Sequence, residues 1–101
     1  LAPCDVAVFP LQGDDRLESK AREIAGSIKG YIVLYDRSGS IGKRYARMDE
    51  IGTPLCITVD FDTVDEKSDN FGTVTVRNRD DRSQERVKVS ELQEYLHKRL
   101  S

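Results

Sequence analysis

The sequence is short of the residues that most often carry chemistry. It holds one histidine, two cysteines and no tryptophan. His97 stands alone, and Cys4 and Cys56 lie far apart without CxxC or Cys/His spacing, whereas a zinc site needs about four ligands. This favours two reduced thiols, typical of the cytosol, and leaves a disulfide as the alternative. An enzyme active site would need a nucleophile, base or metal set that these residues do not supply.

Long apolar runs are also missing. No stretch approaches the roughly 20 residues of a membrane-spanning helix, and no charged start followed by an apolar segment indicates a secretory signal. With 38% hydrophobic and 34% charged residues, the 101-residue chain has the composition of one globular domain with a modest core. It opens on Leu1 instead of methionine, which indicates a processed product or an excised piece of a longer protein. We therefore expect one domain over residues 1–101, without membrane contact.

Charge is unevenly distributed although the net charge is only −2. Residues 37–48 carry four bases and no acid, and residues 60–70 carry five acids and one base. Residues 77–88 carry five bases and three acids. Patches of opposite sign in one small domain predict a partner that is recognised by charge pattern, since bulk attraction to a polyanion is excluded by the net charge.

The first two thirds of the chain alternate between strand and helix patterns. Short apolar runs predict strands at residues 6–11, 31–35 and 55–62. One helical stripe follows a capping box at Asp15 and Glu18, and a second runs from Ser40 to Gly52. The members of the two stripes are Leu17, Ala21, Ile24 and Ile28, and then Ile41, Tyr45, Met48 and Ile51. Strands separated by single helices pair in parallel, which predicts an α/β layer fold.

The last third changes character. Residues 64–72 are polar and predict a loop. TVTVRNR and ERVKV alternate apolar and polar residues around the turn DDRS, which predicts a β-hairpin. Ser90 and Gln93 resemble the cap of a final helix with a stripe of leucines. The predicted element order is therefore βαβαβ followed by ββα.

The segment DRSGSIGKRYARMDEIG (residues 36–52) raises the question of a phosphate-binding loop. A Walker-type loop would need glycine at position 37 and serine or threonine at position 44, where this chain has Arg37 and Arg44. Nucleotide binding is therefore not favoured here. The glycines and serines instead predict a turn and helix cap in front of a basic helix.

The bases of this helix oppose the helix dipole. Lys43, Arg44 and Arg47 lie in the first turns, where the dipole favours acids. Lys43 and Arg47 also form an unfavourable i,i+4 pair of like charge. Two explanations remain open at this point: an anionic partner such as phosphate bound at the helix start, or an internal ion-pair network with nearby aspartates.

SGSIGKRYARMDEIGTPLCITVDFDT (residues 38–63), followed by TVTVRNRD, resembles the C-terminal anticodon-binding domain of glycyl-tRNA synthetase of the dimeric class II type. The resemblance covers nearly the whole chain. It implies a three-layer α/β/α fold with three helices and a mixed five-stranded sheet of order 2-1-3-4-5, in which strand 4 is antiparallel.

The resemblance also implies a function. In that family this domain recognises the two cytosines shared by glycine anticodons, while a separate catalytic domain handles ATP, magnesium, glycine and the acceptor end. We therefore expect binding to the anticodon loop of tRNA-Gly, no cofactor and no catalysis in this chain, and a cytoplasmic, homodimeric parent glycine–tRNA ligase whose isolated domain is a monomer. The alternative is an accessory or dimerisation module of the same fold that no longer binds tRNA.

The resemblance places anticodon contacts on Lys43, Thr58, Phe61 and Arg79. Position 43 is lysine in this chain and arginine in other family members. The planar guanidinium, with its two parallel donors, is thus replaced by the point charge of an ammonium, which favours a contact to phosphate. Cytosine needs both donors and acceptors, and Phe61 would stack on an unpaired base. The full set of candidate RNA-binding residues adds neighbouring bases and one acceptor: Lys43, Arg44, Arg47, Thr58, Asp60, Phe61, Arg77 and Arg79.

Phe61 has a second interpretation. It follows Leu55, Ile57 and Val59 in strict alternation, which by pattern alone favours a core position on the face opposite to Thr58. Thr58 and Phe61 could act together only if the strand bends after Val59.

Overall fold

The computed structural model describes residues 4–100 and contains one five-stranded sheet with helices on both faces. The strands are β1 (Val6–Pro10), β2 (Val33–Tyr35), β3 (Leu55–Val59), β4 (Thr73–Asn78) and β5 (Gln84–Lys88). The α-helices are α1 (Asp15–Ser27), α2 (Ile41–Ile51), α3 (Phe61–Val64) and α4 (Leu92–Leu100), the last preceded by a 3-10 turn (Val89–Glu91). The expectation drawn from Leu1 concerns a residue outside the described range.

The sheet has the predicted topology. Its order is β2-β1-β3-β4-β5. β1 pairs in parallel with β2 and β3, and β4 is antiparallel to both β3 and β5. The mixed sheet and its antiparallel fourth strand are therefore confirmed.

The main core lies between the sheet and helices α1 and α4. Alternate residues of the strands turn their side chains to this face, as the twofold period of a strand requires. The predicted stripe of α1 is buried here, as are Leu92 and Leu96 of α4. The strand residues buried against them are Val6, Val8, Leu55, Ile57, Val59, Val74 and Val76.

Helix α2 covers part of the opposite face. Met48 packs with Ala7, Phe9 and Cys56 in a smaller cluster, and Tyr45 lies at its margin. The helix begins and ends as predicted. Ser40 Oγ accepts a hydrogen bond from the Lys43 amide at 3.2 Å, and Gly52 closes the helix at φ 80°, where a side chain would be strained.

Helices α1 and α4 begin slightly differently from the prediction. The cap of α1 is Asp14, one residue before the predicted Asp15, because its carboxylate accepts from the amides of Arg16 at 2.9 Å and Leu17 at 3.3 Å. Helix α4 starts from the 3-10 turn, and Gln93 bonds the backbone of Lys29 instead of capping its own helix.

The third strand is shorter than predicted, and this changes the site. β3 ends at Val59, and Asp60 caps the one-turn helix α3. The Asp60 carboxylate accepts from the Thr63 amide at 3.1 Å, and Thr63 Oγ1 accepts from the Asp60 amide at 3.2 Å. This reciprocal capping box adds a fourth helix to the three that were predicted.

Candidate nucleic-acid interface

A row of polar side chains crosses β3, β4 and β5 on the α2 side of the sheet, beginning under α2 and continuing onto the part that α2 does not cover. Thr58 lies opposite Thr75, which lies opposite Arg86 on the edge strand. Along each strand, the residues before and after these three point to the opposite face of the sheet, where the main core lies, because successive side chains alternate between the two faces. The fold therefore builds a flat surface of hydroxyl and guanidinium groups beside α2.

Arg86 organises this surface. Its guanidinium makes a bidentate ion pair with Asp60, with contacts of 2.8 and 2.9 Å. The same group donates to Thr73 Oγ1 at 3.0 Å and to Thr75 Oγ1 at 3.2 Å. Because Asp60 also caps α3, both of its carboxylate oxygens are engaged. Asp60, expected from the sequence to accept a hydrogen bond from RNA, instead positions Arg86. The sequence signalled Arg86 only through the basic run of residues 77–88.

Thr58 lies beneath Tyr45. Its side chain is only 5% exposed, and its hydroxyl is hydrogen-bonded to the Tyr45 hydroxyl. The Tyr45 ring packs edge-on against Phe9, with 5.6 Å between centroids. Burial raises the pKa of the Tyr45 phenol, so it stays protonated at neutral pH. The hydroxyl pair, not Thr58 alone, is therefore what this part of the surface presents.

Arg77 joins the sheet to the end of α2. Its guanidinium contacts both carboxylate oxygens of Asp49, at 2.9 and 3.2 Å, and lies 4.9 Å from the centroid of the Tyr45 ring. The hydrogen bonds between the two side chains lower the pKa of Asp49 and raise the pKa of Arg77. Arg77 is thus engaged in an internal ion pair.

Arg79 lies at the far end of the same surface. Its amide donates to the Pro54 carbonyl at 2.9 Å, and its Nε donates to the Asp49 carbonyl in the last turn of α2 at 3.1 Å. The side chain is 43% exposed, and its ion pair with the neighbouring Asp80 is 3.7 Å long. Arg79 therefore keeps donors available to a partner.

The structure corrects the expectation that Arg44 faces a partner. Arg44 is 2% exposed, and its guanidinium donates to the carbonyls of Pro10, Leu11 and Asp36 while lying 5.4 Å from the Phe9 ring. These carbonyls lie at the last residue of β1 or directly after β1 and β2, where the chain leaves the sheet. Burial lowers the pKa of Arg44, but a guanidinium remains charged at physiological pH. The buried guanidinium of Arg44 therefore binds backbone carbonyls at the carboxyl ends of two parallel strands.

The other two bases of α2 differ from each other. Arg47 forms an ion pair with Asp36 at 2.7 Å and donates to Ser38. Burial raises the pKa of Asp36, but hydrogen bonds from Ser38 and Arg47 outweigh it and lower that pKa overall. Lys43 is exposed and, within residues 4–100, its ammonium has no hydrogen-bond or ion-pair partner. Of the three bases, Lys43 is therefore the one fully available to an anion.

Phe61 is not a core residue, contrary to the interpretation by alternation. It is the first residue of α3, after the chain has left the strand, and it is 37% exposed. The guanidinium carbon of Arg16 lies 5.6 Å from its ring centroid. The ring therefore faces a cleft beside α1, whereas Asp60 points to the polar sheet surface. Its role in stacking stays a prediction.

The candidate residues lie along a line instead of around one point. Lys43 and Phe61 lie at the carboxyl ends of the parallel strands, because α2 and α3 begin there. Arg79 lies level with Pro54, before β3 begins. At the rise of an extended strand this separates the two ends by about 17 Å. Such a surface suits an extended segment of several units better than one small ligand.

Other kinds of site find little support in the part of the chain that is described. No three potential ligands among residues 4–100 cluster as a metal site would require. Cys4 and Cys56 are buried and unpaired, and burial raises the pKa of Cys56 to about 12, which leaves the thiol unreactive. Over the same range, none of the helices is long and apolar enough to cross a membrane.

The fold is one found in aminoacyl-tRNA synthetases. Histidyl-tRNA synthetase from Nostoc sp. PCC 7120 matches this structure with a TM-score of 0.84, over 98% of this chain and 23% of that chain. The sequence identity is 20%, so this is a likeness of fold.

The family described as Anticodon binding domain matches residues 5–99, and the chain belongs to it. It is 45% identical to the glycine–tRNA ligase of Thermobifida fusca, over 100% of this chain and 21% of that protein. The corresponding proteins of Clostridium acetobutylicum and Corynebacterium glutamicum are 48% and 50% identical over 99% of this chain, which covers 20% and 21% of them. The chain spans about a fifth of the length of these relatives, and the predicted family is confirmed.

Proposed function

We propose that this chain is the anticodon-binding domain of a longer glycine–tRNA ligase and binds the anticodon loop of tRNA-Gly through its two shared cytosines. Identities of 45 to 50% to glycine–tRNA ligases over nearly the whole chain support this function. The chain itself performs no catalysis and needs no cofactor. The parent enzyme, a cytoplasmic homodimer, would bind ATP and magnesium in another domain.

The polar row from Thr58 to Arg86 carries the proposal. Sequence-specific RNA recognition uses unstacked bases, which need donors and acceptors on a surface and an aromatic ring to stack on. This row supplies both kinds of polar group, and along the strands beside it the Phe61 ring and the Lys43 ammonium lie at one end and Arg79 at the other. The separation of about 17 Å between these two ends matches several consecutive nucleotides better than one.

The experiment measures the affinity of the chain for a tRNA-Gly anticodon stem-loop and for the same stem-loop with both cytosines replaced by uracil. The proposal expects preference for the cytosines, and a loss of about 1–3 kcal/mol in Arg79→Ala. Arg99→Ala is the matched control, because Arg99 is also 43% exposed and ion-paired, with Glu85 at 2.8 Å. Equal affinity for the two stem-loops would contradict the proposal.

A module that no longer binds tRNA is the second candidate. It is favoured by the internal carboxylate partners of Arg47, Arg77 and Arg86. In that case Arg79→Ala and Lys43→Ala would leave the chain unaffected in every RNA assay, and self-association would appear in sedimentation equilibrium.

A further inference from the structure

An open cleft of about 530 Å³ lies between the first turn of α1 and helix α3. It is lined by Arg16, Phe61, Val64, Asp65, Glu66 and Lys67. Except for Phe61, these residues belong to none of the contacts described for the polar sheet surface. The cleft is nevertheless adjacent to that surface, because Asp60 and Phe61 are consecutive and point to its two sides.

Arg16 shields the ring at the cleft without being held firmly. Its guanidinium carbon is 5.6 Å from the Phe61 centroid, inside the range of a cation–π contact. The side chain is 69% exposed, and its ion pair with Asp14 is 3.5 Å long. Exposed pairs of this kind contribute little to stability. Arg16 can therefore leave the ring by a change of rotamer at small cost.

The charges that line the cleft do not favour the binding of an anion. Arg16 and Lys67 are balanced by Asp65 and Glu66, so a phosphate group entering the cleft would gain no net attraction. A flat, uncharged ring gains more, since it can stack on Phe61 and on a planar guanidinium at the same time. An unstacked nucleobase has this shape and no charge.

We propose that this cleft is a nucleobase site in which the Phe61 ring and the Arg16 guanidinium enclose one base. The base takes the place that Arg16 now holds against the ring, and the guanidinium closes over the base from the outer side. The inference rests on the proposed function and adds Arg16, which neither the charge pattern nor the resemblance indicates, as a residue that holds one anticodon base.

The experiment uses this chain and tRNA-Gly anticodon stem-loops in which pyrrolocytosine, a fluorescent cytosine, replaces each anticodon cytosine in turn. Stacking of the labelled base quenches its emission. One of the two labels should be quenched on binding, and Arg16→Ala should reduce the quenching and weaken affinity about three- to tenfold. Arg16→Gln, which keeps a planar group without the charge, should retain more quenching than Arg16→Lys, which keeps the charge without the plane.

Arg22→Ala provides the control, since Arg22 lies on the same helix with its guanidinium carbon 5.9 Å from the Tyr35 ring. It should bind and quench as the unchanged chain does. The inference fails, and the proposed function stands, if Arg79→Ala weakens binding while Arg16→Ala does not. It also fails if Arg16→Ala weakens binding with quenching intact and a shallower salt dependence, because Arg16 then contacts a phosphate. Absence of stem-loop binding by the unchanged chain overturns both.

Discussion

Arg86 and Asp60 form a bidentate ion pair that ties the edge strand β5 to the start of α3, with contacts of 2.8 and 2.9 Å. The next residue along the chain is Phe61, so the orientation of the exposed ring depends on a contact made across the polar surface. Two consecutive residues, Asp60 and Phe61, therefore contact the sheet surface and the cleft beside α1.

Loss of Asp60 should affect both stability and RNA binding. Asp60→Ala removes a helix cap, worth about 1 kcal/mol, and the partner of Arg86, worth up to about 1 kcal/mol. Asp60→Asn keeps a capping oxygen and should cost less free energy of unfolding. Urea unfolding of both variants checks this, and equal destabilisation by the two would contradict the capping role.

Arg44 should matter for folding. Arg44→Ala removes this donor from the buried carbonyl of Pro10 and the partly buried carbonyl of Leu11, at about 1–3 kcal/mol for each group left unsatisfied. We expect a loss of roughly 3 kcal/mol or more in the free energy of unfolding. Lys43→Ala, the exposed neighbour, should change it by less than about 0.5 kcal/mol. An Arg44→Ala chain with the melting temperature of the unchanged protein would refute this account.

Two phenylalanines should respond in opposite ways. Phe61→Ala should weaken stem-loop binding by about 1–3 kcal/mol. It should lower the free energy of unfolding by only about 1 kcal/mol, because the Phe61 ring is partly exposed. Phe9→Ala, in the buried cluster under α2, should cost roughly 3–5 kcal/mol of unfolding free energy. Binding and urea unfolding are measured on both variants. Normal RNA affinity in a folded Phe61→Ala chain would exclude stacking.

Salt dependence should identify Lys43 as a phosphate contact. Neutralising one phosphate of a single strand changes the slope of log K against log salt by about 0.7. Lys43→Ala should therefore make the slope shallower by that amount. Lys98→Ala, an exposed lysine on α4 paired with Glu94, should leave the slope unchanged. Equal slopes for Lys43→Ala and the unchanged chain would assign Lys43 no phosphate.

Acid should weaken the link between α2 and β4. The Arg77 hydrogen bonds hold the pKa of Asp49 below its ordinary value of 3.8. The folded carboxylate thus contributes stability that is present above that value and is lost as the pH falls through the lower, folded pKa. Urea unfolding at pH 6 and pH 3 should show a larger difference between the unchanged chain and Asp49→Asn at pH 6. Parallel profiles would show that the pair contributes nothing.

Much of the fold was predictable because its signals are local. The stripe of Leu17, Ala21 and Ile24 determines which face of α1 is buried, and Ser40 and Gly52 determine where α2 begins and ends. The long ungapped resemblance also identified the family. The end of β3 was missed, because Asp60 and Thr63 cap each other only once the chain has turned. Alternation alone extends the strand through Phe61.

The sequence by itself determined the order of the five strands and of three of the four helices, most of the main core and the family, since periodicity and capping act over a few residues. Only the tertiary structure decided which charges are available. Arg44 is buried because carbonyls from two separate strand ends converge on it. Arg86 and Arg16 acquire their contacts across the sheet and between helices. Such contacts depend on strand register and helix packing, which bring together residues far apart in the chain and leave no local pattern.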